Sequence, residues 1–142
     1  MRNLDSKFAG LPKLIAQHQK QVAMFEDWAA AQSWSSFHEA HYDWWAFPIN
    51  QPSSRAWQWT VLDGDVRELQ ANPEFIMRLK AGIRLLGAAW GWDTENSTVC
   101  QQCSAHQRWQ NWPIRLWKAT LCAALFGLEQ VTSPIKAERA VV

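Results

Sequence analysis

The sequence predicts an all-α fold, a compact single domain over residues 1–142 built as a bundle of about five to six helices with a central C-terminal helix. Apolar residues recur at helical spacing in several segments. Capping residues flank those segments, and strand signals are nearly absent. A chain of 142 residues can bury one sizeable core, so the fold is possible without disulfides or metals.

The first predicted helix is amphipathic and peripheral, and it runs from about residue 11 to residue 33. Pro12 suits its first turn because a proline there loses no helical hydrogen bond. One face carries the apolar residues Leu14, Ile15, Val22, Phe25 and Trp28.

A capping box predicts the start of the second helix, because Ser36 precedes Glu39 by three residues. Its aromatic face would consist of Phe37, His41, Trp44 and Trp45. Pro48 excludes helical geometry at Phe47, so the helix is expected to stop there.

Residues 49–62 are predicted to form a loop whose two tryptophans fold back onto the body. A short helix is expected over 63–69. The next long helix has a cap residue and a first-turn proline at Asn72-Pro73, and Gly91 suits its C-terminal cap. Helical structure is expected to resume around 101–110.

The last helix is predicted to begin at Pro113 and to end at Phe126, before Gly127. It is apolar nearly all round, which favours a central position. The expected buried face consists of Ile114, Trp117, Leu121, Ala124, Leu125 and Leu128. Arg115 and Lys118 lie three apart on one flank, so both need anionic or carbonyl partners.

Composition excludes several classes of function. A net charge of +1 gives no global attraction to nucleic acid or to an anionic membrane. The longest apolar stretch, 119–128, is about half a membrane span, and residues 1–7 lack the apolar region of a secretory signal. We therefore expect a cytoplasmic protein with reduced cysteines and no membrane segment, and a tail that frays from about residue 130 to 142.

The 11 tryptophans are the most unusual feature of the composition. Their area fits inside a domain of this size, but each buried indole N–H needs a hydrogen-bond acceptor. We therefore expect some of them beside a cleft or a partner surface. The question is sharpest for the loop tryptophans near the basic pair.

Three blocks of sequence occur in one order within residues 36–129. They are 42–49 (YDWWAFPI), 72–79 (NPEFIMRL) leading to Trp90-Gly91, and 114–118 (IRLWK) closing at Gly127-Leu128-Glu129. Together they resemble the conserved N-terminal domain of the opioid growth factor receptor family, in a distant, bacterial-type form. The resemblance implies an all-α domain of a kind found in animal peptide-binding receptors and in bacterial proteins. It does not imply an enzymatic activity.

The leading hypothesis is a non-catalytic α-helical binding or regulatory module. Its candidate ligand-binding residues are Tyr42, Trp45, Phe47, Trp112, Arg115 and Lys118. An aromatic wall beside cations suits a small anionic ligand or an acidic segment of a protein partner. In the alternative interpretation Arg115 pairs internally, for example with Asp43, and the aromatic residues fill the core. Spare aromatic surface also makes a homo-oligomer possible.

Two further groups of residues suggest other chemistry. Cys100, Cys103 and His106 have zinc-ligand spacing, but a fourth ligand is missing nearby, so we predict no cofactor and keep zinc as the weaker alternative. His38 and His41 lie three apart and would be the bases of a small enzyme, which is the second functional hypothesis.

The third hypothesis is single-stranded nucleic-acid binding through the stretch from Trp109 to Lys118, which follows Arg108 and mixes tryptophans with basic residues. Packing is the favoured interpretation because Trp117 falls on the apolar stripe and the net charge is near zero.

Overall fold

The computed structural model describes residues 1–93, 98–99, 107 and 114–129, with the backbone alone at 98–99 and 114. Six helices and one pair of two-residue strands lie within this part of the chain. They are α1 (Leu11–Ala30), α2 (Trp34–Glu39), α3 (Asp43–Ala46), α4 (Asp63–Gln70), α5 (Pro73–Ala89), β1 (Trp92–Asp93), β2 (Thr98–Val99) and α6 (Ile114–Leu125). The strands are antiparallel, with Trp92 opposite Val99. The predicted all-α class is confirmed.

Helix α5 occupies the centre of the described structure, where it packs against α1, α2, α4 and α6. The Asn72 side chain caps it by accepting the N–H of Phe75 at 3.1 Å, and Gly91 follows its end with a φ of +81°, both as predicted. Helix α1 makes the most extensive contact with α5 and buries Leu14 and Phe25 completely. It is therefore part of the core rather than peripheral.

The predicted second helix is wrong in its extent, because it is two short helices separated by a bend. Ala40 is extended, and Tyr42 has φ −147°, outside helical geometry. The bend lets the fully buried Tyr42 side chain donate its O–H to the carbonyl of Phe37. Burial of one aromatic ring thus overrides the helical period, and the aromatic residues do not form one face. Ser36 is inside α2 and bonds the Ser33 hydroxyl at 2.8 Å instead of capping a helix.

The predicted buried face of the last helix is wrong in part. Helix α6 is closed by Gly127 at φ +74°, as expected. Leu128 is buried and Leu121 and Leu125 pack partly against the core, but Trp117 is 39% exposed and Ala124 is exposed. The face turned inward carries Leu116, Lys118, Ala119, Cys122, Ala123 and Phe126. Small residues on this face permit close approach to α5, and Lys118 finds its partner inside the protein. Side-chain size and charge pairing therefore decide the rotation of α6.

The loop between α3 and α4 is held by the N-terminal segment. Asn3 is buried, and its side chain donates to the carbonyls of Trp57 and Thr60 at 2.9 and 2.8 Å. The Asp65 carboxylate accepts the backbone N–H of Asn3 at 2.8 Å and that of Leu62 at 3.0 Å, where it also caps α4. These bonds fix the loop against the body. Trp59 folds back as expected, whereas Trp57 is 39% exposed.

The expected helix at 101–110 and the expected tail at 130–142 lie outside the described residues, apart from Gln107. Gln107 is buried and donates its side-chain N–H to the carbonyl of Ala88 at 3.0 Å. This bond joins Gln107 to the C-terminal end of α5.

Candidate functional site

The two basic residues of α6 are both held by internal partners. Lys118 Nζ lies 2.9 Å from Asp43 Oδ2, and each side chain is only 9% exposed. Arg115 donates its Nε–H to the carbonyl of Ala40 at 3.0 Å, and its Cζ lies 5.6 Å from the centre of the Tyr42 ring. Anionic or carbonyl partners are thus present as the sequence required. Asp43 pairs with Lys118 rather than with Arg115.

Two of the predicted ligand-binding aromatic residues belong to the core. Tyr42 and Phe47 have no exposed surface. The Tyr42 ring packs edge-on against Phe25 at 4.8 Å, and burial raises the pKa of its hydroxyl far above the usual range. These two side chains are therefore part of the hydrophobic core and do not face a ligand. Trp112 lies outside the described residues.

The third predicted aromatic residue, Trp45, is half-buried and clamped by α1. Its indole Nε1–H donates to Gln21 Oε1 at 3.0 Å, and its carbonyl lies 3.1 Å from His18 Nδ1. Since a carbonyl only accepts, Nδ1 of His18 carries the proton. Burial lowers the pKa of His18 to about 4, so the ring is neutral at pH 7. Its Nε2 is a buried acceptor, and neither this atom nor the buried side-chain Nε2 of Gln21 has a hydrogen-bond partner within the described part of the chain.

Beside Trp44 lies an exposed cation, Arg55, which the sequence patterns did not indicate as a site residue. Arg55 is exposed, and its Cζ lies 4.4 Å from the centre of the Trp44 ring and 6.0 Å from that of Trp45. Lys118 Nζ lies 5.9 Å from the Trp44 ring. Among the described residues, the Arg55 guanidinium has no carboxylate or carbonyl partner, in contrast to Arg115 and Lys118.

A tight turn at 53–56 presents Arg55. Ser53 and Ala56 exchange backbone hydrogen bonds of 3.1 and 2.9 Å, and the Ser53 hydroxyl accepts the N–H of Arg55 at 3.0 Å. Ala56 has a φ of +53°, a left-handed conformation that costs a non-glycine residue about 1–2 kcal/mol. The surrounding bonds therefore hold a strained turn in one shape.

Beside the turn is a small, open recess, which we call the Trp59 recess. It is lined by Trp44, Phe47, Ile49, Gln51, Ser53, Trp59, Thr60 and Lys118. Trp59 is 7% exposed, and its indole N–H is buried without an acceptor among the described residues. The recess has room for about one water molecule, below the roughly 300–1,000 Å³ of pockets that enclose a small-molecule ligand.

The polar groups of this recess are of mixed character. The Thr60 hydroxyl donates to the carbonyl of Gln51 at 3.1 Å, so its oxygen remains available only as an acceptor, and the Lys118 ammonium is already paired with Asp43. The Arg55 guanidinium stacks on Trp44, which belongs to the recess wall, and a cation in that position suits an anionic acceptor.

The two candidate histidines lie apart from the recess, and the residues of the other candidate sites lie mostly outside the described part of the chain. His38 is in α2 and its Nε2 lies 2.9 Å from the carbonyl of Ala89, whereas His41 is exposed in the bend after α2. Neither histidine lines the Trp59 recess. Cys100, Cys103, His106, Arg108 and Trp109 lie outside the described residues. Within the described ranges, no group of three or more His, Cys, Asp or Glu residues could hold a metal ion.

The described tryptophans divide by exposure in an order that the sequence did not predict. Trp57 and Trp117 are each 39% exposed, while Trp59, Trp90 and Trp92 are buried. Trp28, Trp34, Trp44 and Trp45 are half-buried. One sequence signal for the site was available, since Arg55 stands in a Pro- and Ser-containing turn just before two tryptophans.

Comparisons of this chain with known protein families, with curated proteins and with solved structures found no match. In the part of the chain that the structure describes, no helix combines the length and the apolarity needed to cross a bilayer. The fold and the site therefore define the class by themselves: an all-α domain with a small recess beside an exposed arginine that stacks on a half-buried tryptophan.

Proposed function

We propose that this protein is a non-catalytic α-helical binding module that engages an acidic segment of a protein partner through Trp44 and Arg55. The observation that carries the proposal is the exposed Arg55 guanidinium, which stacks at 4.4 Å on Trp44 and has no carboxylate or carbonyl partner among the residues that the structure describes. Arginine and tryptophan are the side chains most enriched in the energetic centres of protein interfaces. Arginine also forms two parallel hydrogen bonds to a carboxylate.

Preorganisation is a second support. The turn at 53–56 is closed by three short-range hydrogen bonds, and the loop behind it is tied to Asn3. Holding the guanidinium on an indole before binding reduces the entropy that a partner must overcome. The surface is thus suited to recognition by a rigid patch.

The size of the Trp59 recess favours surface recognition over catalysis. A recess with room for about one water molecule cannot enclose a substrate and a set of catalytic groups. The small-enzyme hypothesis built on His38 and His41 gains no support from the described residues. His38 is in α2 and is bonded to the carbonyl of Ala89, whereas His41 lies in the bend between α2 and α3.

Nucleic-acid binding is the less favoured candidate because most basic residues of the relevant stretch already have partners inside the protein. Of the three basic residues in the 108–118 stretch, Arg115 and Lys118 already have internal partners. Neither is available to neutralise a phosphate without first breaking those contacts. The sequence resemblance to the opioid growth factor receptor family agrees with a binding role but does not define the partner.

Selection from a displayed library of random peptides tests this function. We expect the selected peptides to be rich in Asp and Glu, and Arg55→Ala and Trp44→Ala to weaken their binding at least tenfold. Arg84→Ala is the matched control, because Arg84 is an exposed arginine on α5. Failure to select any peptide, or binding that survives both variants, would rule the function out.

A further inference from the structure

The exposed histidine His41 lies beside the tryptophan on which Arg55 stacks. The centre of its ring is 6.4 Å from that of the Trp44 ring, and the two planes are tilted by 35°. Arg55 lies 4.4 Å from the centre of the same indole. Trp44 is therefore flanked by an exposed arginine, which is always charged, and by an exposed histidine, whose charge depends on pH.

The bend between α2 and α3 holds His41 in this place. Ala40, which precedes it, is extended, and its carbonyl accepts the Nε–H of Arg115 at 3.0 Å. Tyr42, which follows it, is fully buried and donates its O–H to the carbonyl of Phe37. Because both neighbours are fixed in the body of the protein, the backbone of His41 is fixed as well, and its side chain remains at the surface.

Charged residues approach this bend from several elements. They are Glu39 of α2, Asp43 of α3, Arg55 of the turn at 53–56, and Arg115 and Lys118 of α6. The lysine and the aspartate neutralise each other in a pair of 2.9 Å. Two arginines and one exposed glutamate remain, so the charge around His41 is positive on balance. A protonated imidazole adds to it.

We propose that His41 is a pH-dependent contact for the acidic segment of the partner, an inference that rests on the binding function proposed above. The protonated ring offers two N–H donors and a positive charge beside Trp44. Arg55 then binds one carboxylate of the segment and His41 binds a second one. When His41 is neutral this charge is missing, and the same segment is held with lower affinity.

Linkage between proton binding and partner binding gives the direction of the effect. A carboxylate bound beside the imidazolium stabilises its charged form, so the complex holds the proton more tightly than the free protein does. Affinity for the segment therefore rises as pH falls from about 8 to about 5.5, the range in which histidine side chains change charge. The carboxylates of the segment stay ionised there because aspartate and glutamate titrate near about pH 4.

The test measures the affinity of a capped hexaglutamate peptide for the full chain at about pH 5.5 and at about pH 8, with constant ionic strength, by isothermal titration calorimetry. The gain expected from one exposed ion pair is about two- to fivefold, so hexaglutamate should bind more tightly by this factor at the lower pH. A capped hexaglutamine peptide carries no charge and should show no such gain.

Variants separate His41 from other titrating groups. His41→Gln should bind hexaglutamate with nearly equal affinity at the two pH values. His41→Arg is charged at both, so its affinity should also be independent of pH and should exceed that of His41→Gln. The matched control is His38→Gln, because His38 is bonded to the carbonyl of Ala89 and its ring packs on Trp90. This variant should keep the pH dependence of the parent, and melting curves at both pH values establish that each variant is folded.

The outcomes distinguish this contact from the function on which it rests. If peptides selected from the library bind through Arg55 but hexaglutamate affinity does not rise at the lower pH, the role of His41 is wrong and the binding module stands. An equal rise in His41→Gln and in the parent, or no binding of hexaglutamate at either pH, also overturns that role. If no selected peptide binds at all, the function itself fails and the role of His41 fails with it.

Discussion

Lys118 Nζ and Asp43 Oδ2 lie 2.9 Å apart in a nearly buried ion pair that joins α6 to α3. Seventy-five residues separate the two side chains in sequence, so the pair fixes how the last helix is placed and rotated. Because Lys118 is already paired, the binding function that we propose for this surface relies on the exposed Arg55.

Removal of one partner from this pair should be strongly destabilising. Lys118→Met leaves the Asp43 carboxylate buried without a counter-charge, which costs about 3–5 kcal/mol of unfolding free energy. Denaturant titration followed by tryptophan fluorescence measures the loss. The matched control is Arg67→Met, which breaks the exposed pair with Asp63 and should cost less than about 1 kcal/mol. Equal losses in the two variants would contradict the structural role of the Lys118 pair.

Arg115 and Arg55 should have opposite roles. Arg115→Ala leaves the Ala40 carbonyl without its donor, so we expect a loss of about 1–3 kcal/mol in stability and no change in peptide binding. Arg55→Gln should lose peptide binding, while its exposed cation–π contact changes stability by only about 0.5–1 kcal/mol. Thermal melts and peptide titrations of both variants check the pattern. A binding loss confined to Arg115→Ala would place the site where the sequence first suggested it.

His18 should make stability depend on pH in a defined window. Its pKa is lowered from 6.5 to about 4 in the folded protein because burial disfavours the charged ring. Between those values the unfolded chain binds a proton that the folded chain does not, so the free energy of unfolding falls as pH drops from about 6.5 toward 4. The His18 contribution to that fall is about 3 kcal/mol in full.

Denaturant titrations at several pH values compare the parent with His18→Gln, which keeps a side-chain donor but does not titrate. The variant should show a smaller decline in stability across this window. An identical decline in both proteins would mean that His18 does not remain neutral in the fold.

Tyr42 should resist ionisation until the protein unfolds. Burial raises its pKa above the usual range, so the unfolded chain loses the proton first and stability falls as pH rises above about 10. The chain has a single tyrosine, and tyrosinate absorbance therefore reports Tyr42 alone. We expect no tyrosinate signal while the folded state persists and a sharp rise on alkaline unfolding. A smooth titration at the ordinary tyrosine pKa would show that the ring is accessible.

Two glycine-to-alanine substitutions should act in opposite directions. A Cβ at Gly64 would lie 2.9 Å from the Met1 carbonyl oxygen, so the N-terminal segment must move, with an expected loss of about 1–3 kcal/mol. A Cβ at Gly82 would meet Val22 at 3.6 Å, an ordinary contact, so the helix gain of about 0.5–1 kcal/mol should remain. Denaturant titration of both variants measures the difference. Stabilisation by Gly64→Ala would mean that the docked N-terminal segment is not tightly held.

Local signals in the sequence determined most of the helix boundaries and the all-α class. Asn72 caps α5 and Gly127 closes α6, because caps and turns depend on residues within one or two turns of the chain. The need of Arg115 and Lys118 for internal partners also followed from the sequence, since charges on an apolar helix must be compensated.

Contacts between distant segments decided the rest. The bend at Ala40–Tyr42 exists because the core takes the Tyr42 ring, and α6 turns Trp117 outward because Asp43 holds Lys118 inward. The contacts of Lys118 with Asp43 and of Arg55 with Trp44 join separate segments of the chain, so no regular sequence spacing predicts them. The periodicity of apolar residues predicts that a helix has an apolar side. Side-chain volume and charge pairing across the fold determine which residues are buried and which cation remains exposed.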